Sequence, residues 1–332
     1  MSGFRVASTS VTFGYVTKRP VKRLIAAGCD VKLNPFGRPL NEKEIANFAK
    51  DADVIILGNE HLSGTTLRCL KKLRLIARYG VGLDGLDLNE ASMRNILVVN
   101  APASSREETA DYTLGLILDL MRHITPMVMN LKTGIWEKKV GHSMNMKTLG
   151  IVGVGQVGTA VARRASGFNM NVLGYDIQQR TEPTIYGLIY TTFHDLLRQS
   201  DIITIHMPLN KNTQGMFGIQ EFKMMKPSAI LINTARDKII KRSALISAIN
   251  KKEIAGYATD VFDVEPPEAL SIYNKDNVLI TPHVAGTTYE SAIRIGDIIV
   301  DNIIAFKKGE LPPDIISKEN LYAYMTSSIP KE

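Results

Sequence analysis

Cysteine is scarce in this chain: Cys29 and Cys69 are the only two among 332 residues. Two cysteines make no disulfide framework and have no metal-ligand spacing, so a reducing compartment, the cytoplasm, is expected. Long hydrophobic runs are missing as well. The stretch Leu114–Met121 falls short of the ~18 residues a bilayer span needs, and Asp119 interrupts it. Ser8, Thr9, Ser10 and Thr12 break up the N-terminus, which has no basic-then-apolar leader pattern. No membrane partner is therefore expected. The net charge of +7 is scattered over pairs such as Lys71–Lys72, Lys138–Lys139 and Lys251–Lys252. Without an arginine-rich arm or interleaved aromatics, it reads as a solvated surface that attracts anionic substrates, and no nucleic-acid partner is expected.

What is present is an ordinary globular mixture, 45% hydrophobic and 22% charged, with length enough for two domains. Short β-branched runs alternate with amphipathic stretches. The first half reads as strands Phe4–Ala7, Val31–Asn34, Val54–Gly58, Leu75–Tyr79 and Ile96–Asn100. Helices near Pro20–Ala27, Asn41–Lys50 and Thr65–Lys72 separate the earlier ones. A single long helix is expected from Glu107 to about Asn130, with Leu114, Ile117, Leu118 and Met121 at helical spacing. A second series follows: Thr148–Val152, Val172–Tyr175, Ile202–His206, Ala229–Asn233, Ile254–Thr259 and Val278–Thr281. A last helix, Thr288–Phe306, is ended by Gly309, Pro312 and Pro313. The alternation predicts an α/β fold of two doubly wound, Rossmann- or flavodoxin-like parallel-sheet domains with a cleft between them. One domain would comprise residues 1–100 plus 286–332, and the other, residues 101–285, would be inserted into it.

The strongest local motif runs Gly153–Val154–Gly155–Gln156–Val157–Gly158, between a strand-like and a helix-like segment. Gly153 allows a tight turn, Gly155 lets backbone approach a pyrophosphate, and Gly158 permits close helix–strand packing. Gln156 and Val157 complete the turn. Asp176 ends the next strand 18 residues past Gly158, where a carboxylate would accept from ribose hydroxyls and repel a 2′-phosphate. That points to NAD in preference to NADP, with Arg180 close enough to complicate the choice.

Three further polar residues fall at strand ends in the second half, where open α/β sheets bind ligands. Arg236 follows Asn233–Thr234–Ala235, Glu265 precedes Pro266–Pro267, and His283 follows Thr281–Pro282. In these segments the chain resembles the D-isomer-specific 2-hydroxyacid dehydrogenase family, especially its short phosphoglycerate-dehydrogenase-like members. Arg78–Tyr79–Gly80–Val81–Gly82–Leu83–Asp84, Asn100–Ala101–Pro102 and His206–Met207–Pro208–Leu209 carry the likeness over nearly the whole chain.

The resemblance implies an oxidoreductase that moves a hydride between NAD(H) and a small D-2-hydroxy acid or its 2-keto partner. His283 would be the acid/base, Glu265 would hold its imidazole and favour the charged form, and Arg236 would bind the carboxylate and polarise the keto oxygen. Backbone around Gly80, Val81 and Gly82, beside Arg78 and Tyr79, would take the substrate carboxylate. Arg106 could add a second positive group. Asp260 would accept from the nicotinamide carboxamide, Thr234 and Ala235 would line its pocket, and His206 would lie near the adenosine end. Thr109, Pro208 and Thr213 belong to the same cofactor set. No metal is required, because Arg236 and His283 supply the electrostatics. The long helix and the segment around Trp136 would mediate a homodimer.

Departures from the family pattern narrow the carry-over. Asp237 and Lys238 follow Arg236 where glycine is usual, so an extra carboxylate could compete for that arginine. Asp111 stands where many members carry glutamate. Arg78 matches an arginine near the phosphate of phosphoglycerate dehydrogenases, yet Gly58–Asn59–Glu60–His61 lacks the other phosphate-binding arginine. A phosphorylated or phosphonylated three-carbon acid and glyoxylate, hydroxypyruvate or another 2-keto acid all stay open, as does an NAD-sensing corepressor of the same fold.

Overall fold

The computed structural model describes residues 3–178 and 186–316, so Arg180 and the tail 318–332 lie outside the described residues. The chain forms two compact units, residues 3–105 with 287–316, and residues 106–286.

The first unit is built on a five-stranded parallel sheet. Its strands are β1 (Phe4–Ser8), β2 (Cys29–Leu33), β3 (Val54–Leu57), β4 (Leu75–Arg78) and β5 (Leu97–Val99), in the order β2-β1-β3-β4-β5. Side chains alternate between two cores. Val54 and Ile56 of β3 join one with Leu75 and Ala77 of β4, while Ile55 and Leu57 join the other with Ile76. That is why these strands read as unbroken apolar runs: both faces are covered, and only the period of two divides them. The returning helix Tyr289–Lys307 covers one face through Ile295, Ile299, Val300 and Ile303.

The second unit holds seven parallel strands. They are β6 (Thr148–Val152), β7 (Asn171–Tyr175), β8 (Leu188–Tyr190), β9 (Ile202–Ile205), β10 (Ile230–Asn233), β11 (Gly256–Thr259) and β12 (Val278–Ile280). Their order is β12-β11-β10-β9-β6-β7-β8. The connection reverses at β6, whose two neighbours are β9 and β7, and such a switch point leaves a crevice beyond its carboxyl end. The glycine turn begins there.

Three elements differ from the sequence expectation. The helix expected from Glu107 to about Asn130 is two helices, Arg106–Arg122 and Ile124–Lys132. His123 breaks it with φ of 53°, and Asp119 holds the new start by accepting from the Thr125 amide at 2.7 Å and hydroxyl at 2.5 Å. Helix Leu88–Met93 and strand β8 were not expected at all. Both are too short to show a period, although Asp87 accepting from the Glu90 amide at 2.9 Å marks a helix start that Asp-x-x-Glu spells out. Among the described residues, no helix is long and apolar enough to cross a membrane.

Candidate active site

The glycine turn is shaped by backbone sterics. Gly153 has φ of +96°, and a Cβ there would lie 2.7 Å from the His206 carbonyl carbon. A Cβ on Gly158 would collide with the Gly153 carbonyl oxygen, whereas one on Gly155 would meet nothing within 4 Å. Two of the three glycines are therefore demanded by the chain itself, and Gly155 faces open space. It is also the N-cap of helix Gln156–Ser166 and has no side-chain cap, leaving the positive helix end clear for an anion. These residues fit a dinucleotide pyrophosphate. Asp176 accepts from the Val154 amide at 2.8 Å and the Gln178 amide at 3.0 Å, so it braces the turn it follows.

Around the turn, His206 presents its backbone to Gly153 and pairs Nε2 with the Thr204 hydroxyl at 2.9 Å. Burial pushes its imidazole down to about 3, which makes it neutral at ordinary pH. Thr213 donates to the Pro208 carbonyl at 2.7 Å and accepts from the Asn210 amide at 2.8 Å, closing the loop after β9. Thr113 joins two of the expected cofactor residues. Its hydroxyl is 2.8 Å from the Thr109 carbonyl and 3.1 Å from the Thr234 hydroxyl.

Arg236, Glu265 and His283 follow β10, β11 and β12, which are adjacent and parallel, so their loops emerge along one sheet edge. Asn233 shapes the first loop. Fully buried, it accepts from the Ala235 amide at 3.0 Å and donates to the Arg236 carbonyl at 2.9 Å, a turn built by the side chain. Arg236 Nη1 donates to the Ala235 carbonyl at 2.7 Å. Sequence reasoning passed over Asn233, although an asparagine two residues before a sharp exit is a turn signal.

Glu265 and His283 meet directly. Imidazole Nδ1 is 2.7 Å from Glu265 Oε1 and 3.0 Å from Oε2, leaving Nε2 as the nitrogen available to a substrate. His283 has φ of 53°, a strained conformation that needs outside support. Asp260 supplies it. Its Oδ1 accepts from the Thr281 hydroxyl at 2.6 Å and the Val284 amide at 2.9 Å, and its Oδ2 from the Ala285 amide at 2.7 Å. Asp260 is only 1% exposed, and both its oxygens hold the His283 loop.

The unusual Asp237 also resolves differently from the expected competition for Arg236. Its carboxylate is 3.6 Å from the Arg242 guanidinium, and Lys238 Nζ is 2.7 Å from Asp263. Burial pushes the Asp237 carboxyl up, with Arg242 opposing. Lys238 thus ties the Arg236 loop to the loop that carries Glu265.

In the first unit the expected substrate residues are held from inside. The Gly80 carbonyl accepts from the Ala101 amide at 3.0 Å, Val81 from Asn100 Nδ2 at 2.8 Å, and Gly82 from Arg78 Nε at 2.8 Å. Tyr79 points away, its hydroxyl donating to the Ala292 carbonyl at 3.0 Å, and burial pushes its phenol up. Arg106 belongs to the second unit, where it is exposed at the start of its helix, 3.3 Å from Glu107. Among the described residues no cluster of three or more His, Cys, Asp or Glu could hold a metal ion.

The family model for the NAD-binding domain of D-isomer specific 2-hydroxyacid dehydrogenases matches residues 114–285. The chain is 35% identical to the glyoxylate reductase of Pyrococcus furiosus over 85% of this chain and 87% of that protein. It is 34% identical to the D-3-phosphoglycerate dehydrogenase of Methanocaldococcus jannaschii over 85% of this chain and 55% of that one. Its fold is similar to that of the D-lactate dehydrogenase of Aquifex aeolicus complexed with NAD and lactic acid. The TM-score is 0.79 at 29% identity, covering 92% of this chain and 96% of that one.

Proposed function

Because this chain belongs to the D-isomer specific 2-hydroxyacid dehydrogenase family and is an NAD-dependent dehydrogenase, we propose that it reduces a small 2-keto acid to the D-2-hydroxy acid. The observation that carries the reading is the Glu265–His283 pair, at 2.7 Å on a strained loop that Asp260 props. NADH, when held at the Gly153–Gly158 turn, would supply the hydride. His283 delivers the matching proton from Nε2 to the carbonyl oxygen, so that keto acid, NADH and one proton become hydroxy acid and NAD. Glu265 fixes which ring nitrogen faces the substrate and stabilises the imidazolium before transfer. Arg236 pairs with the substrate carboxylate and draws electron density from the carbonyl oxygen. Three consecutive carbonyls, of Gly80, Val81 and Gly82, are tied back into the first unit, and that supports reading the loop's amides as donors for the carboxylate.

Gly153, Gly155 and Gly158 would hold the pyrophosphate, and Asp176 the adenine ribose. Thr109, Thr234 and Ala235 would flank the nicotinamide. The named function of the Pyrococcus furiosus relative supports the reductive direction and a small keto acid such as glyoxylate. A second copy of the chain is the proposed partner of helix Ile124–Lys132. None of its residues is buried, and Met129 and Leu131 stand more than half exposed beside Ile135 and Trp136. Sedimentation as a monomer at micromolar concentration would count against that partner.

The test is NADH oxidation with glyoxylate, hydroxypyruvate, pyruvate and 2-ketobutyrate, with NADPH in parallel. Turnover of at least one acid, faster with NADH, is the expected result. Silence from a protein that binds NADH would overturn the reading.

A further inference from the structure

Glu265 holds the imidazole of His283, yet the loop that carries it is loosely bonded. Among the described residues, no backbone–backbone hydrogen bond involves residues 262–269, between β11 and the short helical turn Ser271–Asn274. The ties it has run through side chains. Glu265 meets Nδ1 of His283 and accepts from the Phe262 amide at 3.4 Å, and the Phe262 ring packs edge-on against Tyr273 at 6.0 Å.

The loop after β10 is the opposite case. Its helical turn Asp237–Ile239 is bonded firmly into the second unit. The Lys238 carbonyl accepts from the Gly215 amide at 2.8 Å and the Ile239 carbonyl from the Phe217 amide at 3.1 Å, while the Ile239 side chain is fully buried. From this anchored turn Lys238 Nζ reaches Asp263 Oδ1 at 2.7 Å, two residues before Glu265. Asp237 meets the same residue through its backbone. Burial pushes the Asp237 carboxyl up, and Arg242 and a hydrogen bond from the Asp263 backbone amide oppose that.

We propose that Lys238 and Asp263 are positioning residues for the reaction: their ion pair fixes the Glu265 loop to the turn that follows Arg236, and so sets where the Glu265 carboxylate meets His283. The proposal rests on the reading that the chain reduces 2-keto acids. An exposed ion pair adds little to global stability, and Lys238 and Asp263 are 49% and 35% exposed. Its weight falls instead on a segment with few other bonds, where a small displacement misplaces the carboxylate that orients the proton donor.

The experiment measures kcat, KM and Tm for Lys238→Met and Asp263→Asn, with NADH and the keto acid of the panel that turns over fastest. Each variant should lose about fivefold in kcat, the upper weight of an exposed ion pair, with KM and Tm nearly unchanged. Lys238→Arg should keep most of the rate, and the two substitutions together should lower kcat no further than either alone. In wild type, kcat at saturating acid should fall about twofold between about 0.05 M and about 0.5 M salt as screening weakens the pair, whereas the Lys238→Met rate should stay flat. Losses that multiply in the double variant, or a kcat that falls only together with Tm, would overturn the proposal. An active wild type with variants of unchanged kcat ends this proposal alone. A wild type that turns over no keto acid ends the reductase reading and this one with it. Should Lys238→Met fail to fold, Asp263→Asn and the salt dependence of the wild type decide.

Discussion

Both sheets present their loops at the carboxyl ends of parallel strands, yet the two edges use their polar residues in opposite ways. In the first unit the polar groups face inward. Arg78 gives its donors to Gly82, Tyr79, Leu57 and Asn59, Asn100 gives one to Val81, and Glu42 gathers His61, Ser63 and Thr66. In the second unit the inward work is done by residues that carry no chemistry. Asn233 shapes the Arg236 turn and Asp260 props the histidine loop, which leaves one nitrogen of His283 for reaction. The lesson is a division of labour: a group stays reactive when a buried neighbour takes over the structural hydrogen bonds.

His283→Ala tests the reactive side of that division most severely. Loss of the proposed acid/base should lower kcat by about 10³-fold while the affinity for NADH, measured by fluorescence titration, stays within about twofold. Turnover that survives would move the proton donor elsewhere. Gly158→Ala should come next. The added methyl would enter the Gly153 carbonyl, so overpacking of about 3 kcal/mol or less should appear as weakened NADH binding and a lower Tm. An unchanged titration would mean that the turn relaxes more easily than its packing implies.

Asp260→Asn bears on the supporting side. The amide keeps an acceptor but turns an N–H₂ towards backbone amides, at a cost of about 2 kcal/mol in unfolding free energy. With φ of 53° at His283 no longer enforced, kcat should fall while KM for the keto acid changes little. A variant with normal kcat would separate the brace from catalysis.

The smallest effect belongs to Glu42 in the first unit. Burial pushes its carboxyl up, but hydrogen bonds from Ser63, Thr66 and His61 outweigh that and hold it at about 2. A carboxyl depressed in the folded state stabilises fully above its unfolded value and loses that stabilisation as pH falls towards 2. Glu42→Gln should therefore lower stability by up to about 1 kcal/mol at neutral pH, the partly exposed pair being screened. The difference from wild type should shrink between about pH 4.5 and pH 2. A difference independent of pH would assign the effect to packing.

The legible parts of this molecule were those written in local pattern. The strands show as apolar runs because both their faces are buried, and the glycine turn shows because only glycine tolerates the φ of +96° at Gly153 and the contact at Gly158. Arg236, Glu265 and His283 could be picked out by type and by their places after strands. Short elements such as Leu88–Met93 and β8 were not legible, since a helix of fewer than two turns has no period to show. The break at His123 was hidden because a left-handed residue leaves the hydrophobic spacing on either side intact.

By itself, then, the sequence determined the alternation of strands and helices, the dinucleotide turn and the residue types available for hydride chemistry. Each depends on neighbours a few positions apart. Only the tertiary structure decided that Asp260 props a loop, that Asp237 lies by Arg242 and that Arg78 bonds to the Gly82 carbonyl. Those outcomes turn on which donor and acceptor come within about 3 Å across strands distant in sequence, and a charged side chain bonds to whatever the fold brings closest.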